Sequence, residues 1–242
     1  MAGHSKWAQI KRKKAVNDRQ RGKVISKHIR AIQSAVRSGG GGDPSSNLPL
    51  KNALAAAKGD NVPVDNIDRA IERALGGAEG GAFEEVFYEG YGPAGVAMLV
   101  EAITDNKNRT VAEVRHVFSK HGGNLSGSTA WQFDTKGMIV IEDASEELEE
   151  LAIDIGAEDI ESEDGATTIY TPPTSLFQVV EGFQKGGFEP AMAQLTRVPQ
   201  TLTELTEGEA RKVMNFMETL EDLDDVQNVY TTADLAAAEL VG

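Results

Sequence analysis

Met138-Ile139-Val140-Ile141-Glu142 opens a stretch, ending near Val198, whose reading decides the fold. The five residues form a short apolar run suited to a strand. Ser145 to Ile155 follows with helical spacing and an acidic outer face. Asp159-Ile160-Glu161 and Thr167 to Tyr170 read as two strands about the turn Glu163-Asp164-Gly165. Thr174 or Ser175 caps a helix through Phe177, Val180 and Phe183 to Lys185, and a last strand falls near Ala191 to Val198. The element order is β-α-β-β-α-β within roughly sixty residues.

That order is the ferredoxin-like signature. Past Pro199, Glu207 to Leu220 is a strong helix with Val213, Phe216, Met217 and Leu220 on one side, and Val226 to Thr231 is a strand. Before it, Phe83 to Tyr88 and Val96 to Thr104 read as strands around the turn Glu89 to Gly95. Asp105 to Arg109 is a polar loop, and Thr110 caps a helix through Val111, Val114, Val117 and Phe118 to Lys120. Gly122-Gly123-Asn124 ends that helix, and a strand is expected near Leu125 to Trp131. This earlier block lacks a second helix and an edge strand, and the tail supplies both. The reading is one discontinuous α/β domain, residues 78–133 plus 204–242, interrupted by a ferredoxin-like α/β domain at 134–203. Gln132 to Gly137 and Arg197 to Leu205 would form a double linker.

Further out lie three helices, making a bundle within residues 1–77. Asp18 to Arg37 is the first, with Asn17 or Asp18 as its N-cap. Ser46 or Asn47 caps the second, Leu48 to Lys58, in which Pro49 is tolerated in the first turn. The third follows Pro63, with Ile67, Ala70, Ile71 and Ala74 at helical spacing. No Gly-Lys-Ser/Thr follows the glycine runs at 39–42 and 76–77, so they are linkers rather than phosphate loops. The expected class is α+β: an N-terminal three-helix bundle followed by two α/β domains, the second ferredoxin-like and inserted into the first.

Charge divides the chain. Residues 1–37 hold eleven Lys and Arg against one acid, Asp18. The whole chain has 24 basic and 38 acidic residues, which leaves 13 and 37 for the remainder. An arm of this composition seeks a polyanion, and the body repels one. At about 100° per residue, Arg19, Lys23, Lys27, Arg30 and Arg37 fall within a stripe of roughly 80°. Ile25, Ile29, Ile32 and Val36 cluster opposite, so one face packs on protein while the other meets phosphates. Ahead of the helix come His4, Ser5, Lys6 and Trp7, then Lys11-Arg12-Lys13-Lys14, with Arg21 just inside the helix. Trp7 either stacks on a base or ribose or staples the tip to the bundle.

The chain has no cysteine, which excludes disulfides and Cys-based metal or thiolate chemistry. No apolar run approaches twenty residues, and the basic N-terminus lacks the apolar region of a signal peptide. The expectation is a cytoplasmic protein with no membrane partner. His116 and His121 stand five apart rather than the four that place two ligands on one helical face. No nucleophile elbow or metal motif is present, so neither an enzyme, a metal nor a cofactor is expected.

Several motifs resemble one family from end to end. They are Ala2-Gly3-His4-Ser5-Lys6-Trp7 with Lys11 and Lys14, Arg21-Gly22-Lys23, Gly41-Gly42-Asp43-Pro44, and Val62 to Ile67 with Ala70-Ile71. Tyr88 to Pro93, Thr104 to Arg109, Gly122 to Leu125 and Asp225 to Tyr230 continue the match. Together they resemble the YebC/PmpR family. Ala94 departs from it, standing where the family often has glycine, and Gln132-Phe133-Asp134 varies a hydrophobic-rich segment. The resemblance implies a helical bundle and two α/β domains, one inserted in the other. It also implies a DNA-binding transcriptional regulator, while relatives such as the mitochondrial translational activator of a cytochrome oxidase subunit act in translation.

Two nucleic-acid readings therefore stand side by side. In one, the stripe meets duplex DNA through phosphates, which position a protein without reading sequence. In the other, the cationic tip enters ribosomal RNA or tRNA and the protein acts on stalled ribosomes. Lys107, Asn108 and Arg109 are either a second contact or a helix-capping turn. A protein scaffold with an acidic partner is the third reading.

Overall fold

The computed structural model describes residues 18–76, 83–163 and 165–236. Helix α1 (Asp18–Ser38) carries the isoleucine face expected of it: Ile32 and Val36 are buried, and Ile25 and Ile29 are partly so. That face packs on α2 (Leu48–Gly59) and α3 (Val64–Leu75), which contribute Leu50, Ala57, Ile67, Ala70 and Ala74 to the bundle core. Asn47 both starts α2 and fixes the loop before it. Its Oδ1 accepts the Leu50 N–H at 3.0 Å, and its Nδ2 donates to the Ala35 and Gly41 carbonyls at 2.9 and 2.7 Å. Gly39 is glycine because a Cβ there would lie 2.0 Å from Asn47 Oδ1.

The first sheet is antiparallel, in the order β1 (Glu84–Tyr91), β2 (Ala97–Thr104), β7 (Val226–Thr231). Helices α4 (Lys107–Lys120) and α7 (Glu207–Glu221) cover one face, burying Val114, Phe118, Val213, Phe216 and Leu220 against Met98 and Val100. The capping box at Thr206 and Glu209 starts α7, and Phe118 and Phe216 meet edge to face at 4.9 Å. The second sheet has the order β4 (Asp159–Glu163), β5 (Ala166–Thr171), β3 (Phe133–Ile141), β6 (Met192–Pro199), all antiparallel. Helices α5 (Glu146–Asp154) and α6 (Leu176–Lys185) lie on one face over Ile139, Ile141 and Ile169. The α+β class is as expected: a helical bundle, then a sheet domain interrupted by a ferredoxin-like one.

Several local expectations differ from the structure. Residues 125–131 form no strand; they hold an irregular path ending in a 3₁₀ turn at Ala130–Gln132. The stretch lacks an apolar alternation, and side chains satisfy its backbone instead. Glu89 Oε2 accepts the Thr129 and Ala130 N–H groups at 2.5 and 2.8 Å. Strand β1 runs on to Tyr91, three residues past its expected end, because Glu89, Gly90 and Tyr91 continue the ladder to Leu99, Met98 and Ala97 of β2, and Asn124 bridges to Tyr91 on the other side. Residues 133–137, expected as linker, pair with 195–199 as the outer ends of β3 and β6, so Arg197 to Pro199, also expected as linker, belongs to the strand. Ala94, where the family often has glycine, has φ 58° and ψ 14°, a left-handed conformation that glycine adopts without a Cβ clash.

Candidate nucleic-acid interface

Three members of the cationic stripe of α1, Lys23, Lys27 and Arg30, reach the turn between α7 and β7. Lys23 Nζ donates to the Asp222 carbonyl at 3.1 Å and reaches its carboxylate at 3.4 Å. Lys27 Nζ donates to the Glu221 carbonyl at 2.9 Å. Arg30 donates to the Asp224 carbonyl, stands 3.5 Å from the Asp225 carboxylate and lies over the Phe83 ring at 6.0 Å. Two of these carbonyls, at Glu221 and Asp222, close the C-terminal end of α7. Cations are favoured there because the last carbonyls of a helix have no intrahelical partner and the macrodipole is negative. Arg37, in the last turn of α1, is exposed.

Asp225 organises the other side of the contact. It is 2% exposed, and its Oδ2 accepts from Arg109 Nη2 at 2.6 Å, Thr110 Oγ1 at 2.8 Å and Thr104 Oγ1 at 3.0 Å. Burial raises this carboxyl's pKa, but the hydrogen bonds from Arg109, Thr110 and Thr104 outweigh burial and hold it below the usual carboxylate range. Arg109 is held charged by its hydrogen bonds to Asp225 and Asp105. A cleft of about 540 Å³ is lined by Arg30 of α1 together with Phe83, Asp105, Arg109, Asp222 and Asp225 among others.

The segment Lys107-Asn108-Arg109 is the first turn of α4, not a loop ahead of it. The cap is Asn106, whose side chain accepts the Arg109 N–H at 3.1 Å. Thr110, expected as the cap, is instead buried in the Asp225 network. Lys107 pairs with Glu84 at 2.6 Å, Arg109 with Asp105 at 2.9 Å and Asp225 at 2.6 Å, and Asn108 is exposed. His4, Ser5, Lys6, Trp7, Lys11, Arg12, Lys13 and Lys14 lie outside the described residues, and Arg19 and Arg21 belong to the first turn of α1. Sequence reasoning missed the counter-surface. Its one visible signal was the acidic run Glu221-Asp222-Leu223-Asp224-Asp225, which reads in isolation as a solvated turn.

A family model described as the TACO1/YebC protein N-terminal domain matches residues 5–77, and one described as the TACO1/YebC second and third domain matches residues 83–233. A protein of Deinococcus radiodurans named "Probable transcriptional regulatory protein" is 55% identical over 242 residues, covering 99% of both chains. One of the same descriptive name from Thermus thermophilus is 53% identical, covering 97% of each. The crystal structure of a conserved hypothetical protein from Aquifex aeolicus superposes with a TM-score of 0.85 at 45% identity, covering 93% of this chain and 95% of that one. With both domain models matched and such relatives alike along its length, the chain belongs to the TACO1/YebC family.

Proposed function

We propose that this protein is a regulator of gene expression that binds nucleic acid, DNA in the first instance, through its basic N-terminal arm and helical bundle. The carrying observation is the charge division: eleven basic residues against one acid in residues 1–37, and 13 against 37 beyond. Its relatives' names, probable transcriptional regulatory proteins, agree with that reading. Since Lys23, Lys27 and Arg30 are occupied by the α7–β7 turn, first contact falls to Lys6 to Lys14 of the arm, joined by Arg19 and Arg21 from the first turn of α1 and by Arg37 from its last. The protein acts in the cytoplasm and needs no cofactor.

A second reading is a translation factor seated on ribosomal RNA. It is favoured by a tip that sets Trp7 among cations but has no zinc-finger or basic-zipper spacing. The test is crosslinking and sequencing of bound nucleic acid from cells, comparing the wild type with Lys11→Glu/Arg12→Glu/Lys13→Glu/Lys14→Glu. Tip-dependent enrichment at promoter DNA supports the transcriptional reading. Tip-dependent enrichment at one patch of ribosomal RNA replaces it with the translational one. Enrichment of neither removes both and leaves a protein scaffold.

A further inference from the structure

We infer that the α7–β7 turn is an internal stand-in for a phosphate backbone, and that nucleic acid releases the helical bundle from it. The inference rests on the nucleic-acid reading above. Three cations at successive helical turns, Lys23, Lys27 and Arg30, each bind an oxygen of one short acidic segment, 221–225. Regularly spaced oxygens along an extended, negatively charged chain are what a strand of phosphates presents. The contact joins residues 194 to 199 positions apart, so it belongs to domain docking and not to either domain's own core.

The contact is also weakly held where it can be. The Lys23 and Asp222 side chains are 48% and 75% exposed, and an exposed pair contributes little because water and salt screen it. The Arg30 and Asp225 side chains are 22% and 3% exposed, but Asp225 keeps Arg109, Thr110 and Thr104 as partners when Arg30 leaves. Release therefore strands no buried charge on the turn. A polyanion binds the freed stripe and the tip together but reaches only the tip of the docked form. That difference in affinity is what shifts the equilibrium.

The test uses the full chain, which has no native cysteine. Lys58→Cys in the bundle and Lys212→Cys on α7, both exposed, carry spin labels for distance measurement. A narrow distance distribution is expected alone, with a longer population on saturation with a 20-base-pair duplex DNA. Asp222→Lys/Asp224→Lys, which sets two cations against Lys23, Lys27 and Arg30 at exposed positions, should show the longer population without DNA and bind the duplex about 5-fold or more tighter than its charge-matched control, a coupling of ordinary size. Glu146→Lys/Glu147→Lys, the same charge change on exposed α5, should leave the distances as in the wild type and supplies the reference affinity. Duplex binding by the wild type with distances unchanged overturns the inference. So does an Asp222/Asp224 variant that matches the α5 control. If neither the duplex nor an RNA hairpin binds any of the three proteins at low salt, the nucleic-acid reading falls and this inference falls with it.

Discussion

At the scale of single residues, Asp225 matters because three donors converge on one carboxylate that is almost wholly buried. Asp225→Asn keeps the shape but leaves Arg109 without its buried counter-charge. The Arg109 side chain is 44% exposed and keeps Asp105, so the expected loss is that of weakened charge-assisted hydrogen bonds, about 1–2 kcal/mol at neutral pH, read from the urea midpoint. The sign of the pH dependence follows from the depressed folded-state pKa. The stabilisation is complete above the unfolded carboxylate value of about 4 and is lost as pH falls through the folded value. The variant's stability should accordingly fall less than the wild type's on acidification, and parallel curves would refute the hub. Tyr170 presents the opposite case. It is fully buried, and its hydroxyl has no partner among the described residues. Tyr170→Phe removes an unsatisfied polar atom without a cavity, and should leave stability unchanged or raise it by about 1 kcal/mol in the same titration.

At the scale of elements, the helices were legible because their signals are local. The isoleucine spacing of α1, the cap and Pro49 of α2, and Pro63 ahead of α3 each act within a turn or two. Asn47 carries more than a cap can show in sequence, since it also ties α1's end and the glycine loop. Asn47→Ala should cost about 2–3 kcal/mol, the sum of a lost cap and two buried carbonyls left unpaired. Asn47→Asp should fall between, because it retains the acceptor for Leu50. Thermal unfolding followed by circular dichroism measures both. The strand expected at 125–131 failed for a nonlocal reason. Glu89, forty residues earlier, supplies the acceptor that lets that backbone stay irregular. The α4 boundary slipped because Thr104 and Asp225 draw Thr110 inward, leaving Asn106 to cap.

At the scale of the molecule, electrostatics separate the arm from the body. On the proposed reading, binding releases counterions from duplex DNA in proportion to the phosphates neutralised, with a slope near −0.9 per contact. Converting Lys11, Arg12, Lys13 and Lys14 to glutamine should therefore reduce the salt slope by roughly 3–4 and weaken binding to every sequence alike. Fluorescence anisotropy across a salt series measures it. An unchanged slope would take the tip out of the interface. The candidate site was legible as composition but not as geometry. Lys23, Lys27 and Arg30 share one face of α1, while what that face touches lies at the far end of the chain.

The sequence by itself determined the helical bundle, the β-α-β-β-α-β unit and the division of charge, since periodicity, caps and composition are properties of neighbouring residues. Tertiary structure alone decided that Lys23, Lys27 and Arg30 meet the 221–225 turn, and that Arg109 is bound to Asp225 rather than free in a loop. Those contacts depend on how β7 returns to pair with β2, which carries the acidic turn to the side of α1. Charge pattern shows that a cation will find an anion. The path of the chain chooses which one.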